Sequence, residues 1–212
     1  MRAETILPGW ALFFSDWELR EETPLDEALI ADVVEGLKRE FAGRDLSADP
    51  VVQAVRKLFR QAGTDPTRYR PSFEALARRM LKGEPFPRIH PAVDFANCLS
   101  LTWHVPCCVA DREKVVPPVR MRVGAPGETV ESLRGPFPLE GKPLLEDSHG
   151  IYSTPITDSR RASVGPGVRN ASFVAYFPEE GFDAARAEAT MMELIIRAPQ
   201  VSLAGKGTDT LS

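Results

Sequence analysis

Two neighbouring runs of sequence decide the fold: residues 63–79 read GTDPTRYRPSFEALARR, and residues 87–97 read PRIHPAVDFAN. In the first run, Ser72 is suited to cap a helix that continues to about Leu81, because its hydroxyl can accept a hydrogen bond from a free N–H at the helix start. In the second run, Pro91 is suited to the first position of another helix, since its fixed φ angle is already helical. The two runs therefore predict two consecutive helices separated by a loop rich in Gly and Pro.

Upstream of these runs, the sequence predicts an opening strand and two further helices. Residues 10–19 are rich in aromatic side chains, which favours a strand. A helix is predicted within residues 23–43, with Thr23 as its N-cap and Pro24 at its first position. Apolar residues at helical spacing follow, and a Gly ends the helix. Residues 49–63 predict a second helix by similar signals, with Asp-Pro at the start and Gly at the end.

Downstream of Trp103, short β-rich segments are separated by Pro and Gly. The predicted strands are residues 105–110, 119–123, 151–156 and 172–177, and a closing helix over 183–197 and a disordered tail over 204–212 follow. Helices precede strands without regular alternation. This order favours an α+β fold, with a mixed, largely antiparallel sheet flanked by helices, over a doubly wound sheet. We expect residues 1–203 to form a single domain.

Composition places the chain among globular proteins, because 43% of its 212 residues are apolar and 26% are charged. It has no run of about 18 apolar residues, which excludes a membrane-spanning helix. Met1–Glu4 opens without an apolar signal core, and Cys98, Cys107 and Cys108 are too few and too clustered for a disulfide framework. We therefore expect a cytoplasmic protein with no membrane partner.

Charge is distributed unevenly along the chain. The formal net charge is −4, yet residues 56–82 carry eight basic and two acidic side chains, a net of +6. The overall balance argues against a protein that wraps nucleic acid over its whole surface, and we expect no DNA partner. The local cationic segment is either a solvated helix face or a docking surface for a phosphate-bearing partner.

The two runs together resemble the B3/B4 domain, the editing module of the phenylalanyl-tRNA synthetase β subunit, which also occurs as free-standing proteins of about this size. The pattern G-x-D-P-x-x-Y-R-P-S-x-E-A-L-x-R-R is similar to the free-standing branch, and P-x-V-D-x-x-N at 91–97 is shared with the synthetase. The resemblance covers roughly residues 60–177. It implies a B3/B4-like α+β domain whose pocket accepts the aminoacyl end of a mischarged tRNA, where water cleaves the ester in trans. It also implies tRNA or aminoacyl-tRNA as a partner, a synthetase as a further candidate partner, and no cofactor.

The resemblance also points to a site. Asn97 closes the V-D-x-x-N run, which lies at the pocket in the synthetase, and its amide can orient substrate or water. The synthetase has a His eleven residues further on, where this chain has Cys108, and a Glu at the end of its last core strand, where this chain has no acid before Glu179. Because two pocket positions differ, the alternative is a non-catalytic module that binds an amino acid, a nucleotide or tRNA.

Cys108 is the second candidate catalytic residue. Its thiol would be a nucleophile if His104 activated it, and a buried, inert thiol is the alternative. His104 is also a candidate for binding substrate. A zinc site made of Cys107, Cys108 and His104 with His90 or Asp94 would lack the second close ligand pair of structural zinc sites, so we expect no metal.

The remaining candidates would bind substrate. Arg70 and Glu74 either form a helical salt bridge or hold a phosphate or carboxylate group. Tyr69 either stacks on a terminal base or packs its ring in the core. Asp158 would pair with a substrate α-amino group and Ser159 lies beside it, with the capping of a turn as the alternative for both.

Overall fold

The structure is a computed structural model, and it describes residues 3–20, 23–204 and 209–211. The described helices are α1 (Glu27–Glu40), α2 (Pro50–Ala62), α3 (Ser72–Leu81), α4 (Pro91–Trp103) and α5 (Ala184–Ile196). The described strands are β1 (Ala3–Thr5), β2 (Trp10–Leu19), β3 (Cys107–Asp111), β4 (Val119–Val123), β5 (Thr129–Ser132), β6 (Gly135–Pro138), β7 (Pro143–Asp147), β8 (Gly150–Ser153), β9 (Asn170–Pro178), β10 (Val201–Leu203) and β11 (Asp209–Leu211). None of the described helices has both the length and the apolar composition needed to cross a bilayer.

Two sheets form the layers of the fold. The first sheet has the strand order β10–β2–β9–β3 with antiparallel ladders, and β11 also pairs with β2. The second sheet has the order β1–β4–β7–β8, in which β1 lies parallel to β4 and the other ladders are antiparallel. Strands β5 and β6 form a separate hairpin. The predicted α+β fold with a largely antiparallel sheet and flanking helices is confirmed.

The first sheet is buried on both faces. Phe13 and Trp17 of β2 point to the face that α1, α4 and α5 cover, whereas Leu12 and Phe14 point towards α2 and the second sheet. Successive side chains of a strand point to opposite faces. A strand covered on both sides therefore needs a nearly continuous apolar run, which residues 10–14 supply. A third apolar cluster joins α1, α2, α3 and α4.

Two helix starts differ from the prediction. The N-cap of α1 is Asp26, whose carboxylate accepts a hydrogen bond from a backbone N–H in the first turn, and not Thr23. Asp26 directly precedes the first helical residue, so its short side chain reaches the free N–H groups. α3 begins at Ser72 itself, with Pro71 in the cap position and no side-chain cap. The N–H of Ser72 instead donates to the C=O of Pro155 at 2.9 Å, so a distant loop takes the place of the predicted hydroxyl cap.

The longer elements agree with the prediction, and six of the short strands were missed. The strand over 10–19, the helices that begin at Pro50 and Pro91 and the strand over 119–123 form as expected. β1, β5, β6, β7, β10 and β11, with three to five residues each, were not predicted. Strands this short contain too little of the alternating pattern to distinguish them from loops.

The predicted tail lies partly outside the described residues. Of residues 204–212, the structure describes Asp209–Leu211 as a strand that pairs with residues 12–14 of β2, rather than as disordered chain. The assignment of residues 1–203 to a single domain stays a prediction.

Trp17 provides a test of the packing between the helices and the first sheet. Its ring stacks on Phe173 with a centroid distance of 4.5 Å and meets Phe95 edge-on at 5.1 Å. We expect Trp17→Ala to lower the free energy of unfolding by about 3–5 kcal/mol in urea denaturation, because it removes these contacts and leaves a cavity. The control Ile196→Ala, at an 80% exposed position of α5, should change it by less than about 0.5 kcal/mol. Equal effects of the two substitutions would contradict this core assignment.

Candidate functional site

Backbone contacts hold the loop between α2 and α3 against the loops of the second sheet. The hydrogen bond from Ser72 N–H to Pro155 C=O fastens the start of α3 to the loop after β8. In the same region, the Thr64 hydroxyl donates to the C=O of Gly141 at 2.6 Å. Gly141 also approaches Gly63 closely, since a Cβ atom at 141 would lie 3.1 Å from the Gly63 oxygen. Side chains far apart in sequence are thereby brought to one surface.

Tyr69 lies in a cluster of cationic and aromatic side chains on this surface. The Nζ atom of Lys142 lies 3.8 Å from the Tyr69 ring centroid, the Arg68 guanidinium lies 5.2 Å from it, and the Phe137 ring meets it edge-on at 5.9 Å. Burial, together with the charge of Arg68, lowers the pKa of Lys142. Because an aromatic face attracts cations, Tyr69 fixes the position of Lys142. We call these four residues and the exposed Arg70 the cationic patch.

Glu74 pairs with Arg56 of α2 and not with Arg70, so the salt bridge, one of the two alternatives for Arg70 and Glu74, is wrong. Glu74 is only 1% exposed, and its two oxygens accept hydrogen bonds from Nε and Nη2 of Arg56 at 2.8 and 2.6 Å. Because α3 begins at Ser72, Arg70 lies before the helix and the spacing of a helical pair does not apply to it. Glu74 therefore links α2 to α3, with both of its oxygens committed to Arg56.

Asp158 is half-buried and joins the buried side chains of Ser153 and Tyr176 in a hydrogen-bond network between β8 and β9. Its carboxylate accepts a hydrogen bond from the Ser153 hydroxyl at 2.9 Å. That hydroxyl has a single proton, so the Tyr176 hydroxyl, 2.7 Å away, donates to Ser153 in turn. Burial raises the pKa of Asp158 to about 6, against the opposing effect of hydrogen bonds from Cys108 and Ser153. A carboxyl group with such a pKa can accept a proton from a reacting water near neutral pH.

Ser159 caps a turn, which was the structural alternative for it. It is buried, and its hydroxyl accepts a hydrogen bond from the Arg161 N–H at 3.2 Å, at the start of the 3-10 turn Arg160–Ala162. Arg161 then donates to Asp147 at 2.9 Å. The side chain of Ser159 therefore caps this turn, while the side chain of Asp158 joins the polar network, and substrate binding by either residue stays a prediction.

The two predicted catalytic residues lie on different sides of the first sheet. Cys108 is 2% exposed and packs on the face towards the second sheet. Asn97 is half-buried on α4, and α4 packs on the opposite face, to which Cys107 points. Burial raises the pKa of Cys108 well above its usual value, and the charge of Asp158 adds to this effect. Its thiol is therefore neutral and a weak nucleophile.

His104 lies in a separate cleft of about 590 Å³ at the end of α4. Its ring sits between Phe41 and Phe73, with centroid distances of 5.2 and 5.3 Å. Its Nδ1 atom is 3.3 Å from Oδ2 of Asp49, and its Nε2 atom is 3.4 Å from Oε2 of Glu40. Both nitrogens face a carboxylate, which only accepts hydrogen bonds, and we assign the proton to Nδ1 because Asp49 is the closer and the more buried of the two carboxylates.

Asp49 connects this cleft to α2, for which it is the N-cap. Its Oδ1 atom accepts hydrogen bonds from the N–H groups of Val51 at 2.9 Å and Val52 at 3.0 Å, while Oδ2 faces His104. Burial acts to raise the pKa of Asp49, but the hydrogen bonds from His104 and the two N–H groups outweigh it and lower the pKa. Asp49 is thus a fixed carboxylate behind the imidazole.

Neither the Cys–His pair nor the cysteine zinc set is assembled. The nitrogens of His104 face two carboxylates, whereas Cys108 lies in the polar network of Asp158. Asp94 accepts a hydrogen bond from the Ile89 N–H at 2.9 Å and forms an ion pair with Arg88 at 3.3 Å, so it holds the loop before α4. The proposed activation of Cys108 by His104 is therefore wrong. The residues that a zinc site with these cysteines would need do not lie together.

Comparison with known proteins now assigns the fold to a family. A sequence model of the B3/4 domain matches residues 54–197. The chain belongs to the B3/4 domain family. The resemblance read from residues 63–79 and 87–97 is thereby confirmed, and so is the B3/B4-like fold. No curated protein matches the chain.

Among solved structures, this B3/4 protein is similar to an N-terminal fragment of the phenylalanyl-tRNA synthetase β subunit from Pyrococcus horikoshii, with 15% identity and a TM-score of 0.43. That likeness covers 91% of this chain and 46% of the fragment, so the chain spans less than half of the fragment's length. It is also similar to the TILS C-terminal domain, with 18% identity and a TM-score of 0.30 over 35% of this chain and 71% of that one.

Three residues near the site of this B3/4 domain were not singled out from the sequence. Tyr176 lies in an otherwise apolar stretch of β9, and this was a usable signal because a buried hydroxyl needs a hydrogen-bond partner. Lys142 and Ser153 lie in a loop and in a four-residue strand, where no periodicity indicates which side chains are buried. Tertiary contacts alone bring them to the site.

The raised pKa of Asp158 predicts a dependence of stability on pH. Between about pH 4 and 6 the folded state binds more protons at Asp158 than the unfolded state, so the free energy of unfolding should fall as pH rises, by up to about 3 kcal/mol from this group. Asp158→Asn keeps an acceptor for Ser153 but does not titrate. We expect the stability difference between variant and wild type to grow in favour of the variant across this range in urea denaturation. A difference that stays constant with pH would contradict the raised pKa.

Proposed function

We propose that this B3/4 protein hydrolyses, in trans, the ester that joins a mischarged amino acid to tRNA. One observation carries the proposal: the hydrogen bond from Ser72 to Pro155 holds the cationic patch beside the loop that carries Asp158. The chain segment of a surface suited to phosphate groups thus contacts the loop of Asp158, whose carboxyl group has its pKa raised by burial to about 6. Membership of the B3/4 family supports a role connected with tRNA.

The cationic patch is suited to the phosphates of the tRNA acceptor end. Arg68 and Arg70 are exposed, and Lys142 is held over the Tyr69 ring. Contacts of basic side chains with phosphate supply most of the sequence-independent affinity for nucleic acid. Lys142 is only 4% exposed, and its Nζ also donates to the C=O of Glu140 at 3.2 Å, so we propose that Arg68 and Arg70 make the phosphate contacts while Tyr69 packs on Lys142 rather than serving as a platform for a base.

Asp158 would act as the proton acceptor of the reaction. A water molecule attacks the ester carbonyl carbon and transfers a proton to the Asp158 carboxylate. The bond between the carbonyl carbon and the ribose oxygen then breaks, and the proton passes to that oxygen, leaving a free amino acid and tRNA with a free hydroxyl. An aminoacyl ester is already reactive, so this step needs no covalent nucleophile, which agrees with the neutral state of Cys108. Asn97 lies on α4, on the other side of the first sheet, so it has no part in this step, and its role in orienting substrate stays a prediction from the sequence.

A non-catalytic binding module is the second candidate function. It is favoured by the neutral thiol of Cys108 at a position where the synthetase has a His. Such a module would bind an amino acid, a nucleotide or tRNA through the same surface, alone or next to a synthetase. Binding of aminoacyl-tRNA without release of the amino acid distinguishes it from the hydrolase.

Release of amino acid from a panel of mischarged tRNAs tests the proposed reaction. We expect turnover by the wild type, and a fall in kcat/KM of about 100-fold or more for Asp158→Asn, because the variant cannot accept the proton. The tRNA Kd should stay within about twofold, because Asp158 makes none of the proposed phosphate contacts. Asn97→Ala tests the sequence-based prediction for Asn97 separately, since a role in the chemistry would slow release more than it weakens tRNA binding.

Asp45→Asn is the matched control for loss of a carboxylate, because Asp45 is exposed and asparagine can keep its hydrogen bond to the Ser47 N–H. It should leave release unchanged. No turnover by the wild type on any tRNA of the panel, or full activity of Asp158→Asn, would refute the hydrolase. Equal losses of release and binding in Asn97→Ala would exclude Asn97 from the chemistry.

The salt dependence of tRNA binding tests the cationic patch. Each lost phosphate contact should lower the slope of log K against log salt by about one, so we expect this change for Arg70→Gln together with weaker binding at low salt. Arg39→Gln, at an exposed position of α1 outside the patch, should have no effect. The measurement is fluorescence anisotropy of labelled tRNA at several salt concentrations. Identical slopes for wild type and Arg70→Gln would exclude Arg70 from the interface.

A further inference from the structure

The His104 cleft contains a set of metal-ligating groups that the proposed hydrolysis does not use. One nitrogen or oxygen atom from each of Glu40, Asp49 and His104 lies within 4.8 Å of the others. The cleft is also lined by Trp103 and by residues of α5, and it is separate from the network of Asp158. Its volume of about 590 Å³ is in the range of small-ligand sites.

The hydrogen bonds around His104 define which nitrogen is available. Nδ1 donates to Asp49, which is fixed in turn by two N–H groups at the start of α2. With that tautomer, Nε2 presents a lone pair, and Oε2 of Glu40 lies 3.4 Å from it. Two acceptors this close repel each other unless a cation, either a proton or a metal ion, lies between them. Two ligands of a tetrahedral ion, at about 2.1 Å from the metal, stand about 3.4 Å apart.

The arrangement behind Nε2 is the one that metal-binding histidines use. A metal-ligating imidazole usually donates its other N–H to a carboxylate, which fixes the tautomer and the ring orientation. Asp49 supplies that carboxylate, and the rings of Phe41 and Phe73 clamp the imidazole from its sides. The ring of His104 is therefore oriented before any ion arrives.

The charge of the cleft favours a cation. Glu180 and Asp183 line it together with Glu40 and Asp49, whereas Arg186 is the one Lys or Arg residue among its lining residues. A cleft lined by charges of one sign raises the local concentration of ions of the opposite sign. The lining therefore attracts a divalent ion to Nε2.

The backbone at His104 supports a role for its side chain. Among the described residues, His104 is the non-glycine residue with a positive φ angle, 61°, at the end of α4. Glycine or asparagine would adopt this conformation at lower cost. Residues in sparsely populated backbone conformations concentrate at functional sites, which agrees with a role for this imidazole.

We propose that His104 Nε2 and the Glu40 carboxylate bind a divalent transition-metal ion, with Asp49 holding the imidazole and water filling the remaining positions. Imidazole and carboxylate ligands suit Zn²⁺, and Co²⁺ is a suitable spectroscopic substitute. With two protein ligands, the affinity is lower than that of a structural zinc site. The open positions face the cleft, so the ion is accessible to an exogenous anionic ligand.

Isothermal titration of Zn²⁺ into untagged, chelator-treated protein tests this site. We expect one equivalent to bind to the wild type. His104→Asn, which keeps a residue suited to the positive φ angle, and Glu40→Gln, at a side chain that is 48% exposed, should each weaken binding at least about tenfold. Asp49→Asn keeps the cap of α2 but presents no carboxylate to Nδ1, so it should weaken binding by about 10–100-fold.

Two controls separate this site from others on the chain. His149→Asn, at an exposed histidine of the β7–β8 turn, should bind Zn²⁺ as the wild type does. The Co²⁺ complex should show visible bands without a thiolate charge-transfer band, because the cysteines are not ligands. Absence of Zn²⁺ and Co²⁺ binding, unchanged binding in both His104→Asn and Glu40→Gln, or a thiolate band would overturn the proposal. Amino acid release by the Asp158 network is assayed separately and does not depend on the outcome.

Discussion

The pairing of β2 with β9 is the constraint on which the rest of the structure depends. The two strands run antiparallel from Trp10 opposite Pro178 to Glu18 opposite Asn170, and side chains of both are buried on both faces. Burial on both faces requires a cover on each, which the helices supply on one side and α2 with the second sheet on the other. Both candidate sites adjoin β9: Tyr176 reaches the Asp158 network, and Phe177 lines the His104 cleft.

The carboxyl groups of Glu74 and Asp158 differ in their hydrogen-bond partners, and this difference gives Glu74 a structural role and Asp158 a chemical one. Glu74 accepts two hydrogen bonds from the Arg56 guanidinium, so its charge is balanced in the interior. Asp158 accepts hydrogen bonds from the neutral groups of Ser153 and Cys108, and these do not compensate fully for its burial. The ion pair links two helices, whereas the uncompensated carboxyl group is poised to exchange a proton near neutral pH. Lys142 is likewise buried without a carboxylate partner: its Nζ lies over the Tyr69 ring and donates to the C=O of Glu140, and burial lowers its pKa.

Much of the fold could be predicted from the sequence, because its long elements have strong local signals. Asp-Pro before α2, Pro at the start of α4 and the apolar run of β2 each determine an element by local geometry. Family membership also followed from two short runs. The candidate site was harder to predict from the sequence, since its contacts join residues far apart in the chain: Arg56 with Glu74, Tyr69 with Lys142, and Ser72 with Pro155. The pairing of Arg70 with Glu74 was wrong because helical spacing was applied to a residue that precedes the helix.

The titration of the Asp158 carboxyl group tests the central claim most directly. Its ¹³C chemical shift can be followed by NMR across the acid range, in the free protein and with a non-hydrolysable, amide-linked aminoacyl-adenosine. The account predicts an inflection near pH 6 in the free protein and a shift of that inflection when the analogue binds. An inflection near pH 4, as for a solvated aspartate, that does not respond to the analogue would contradict it.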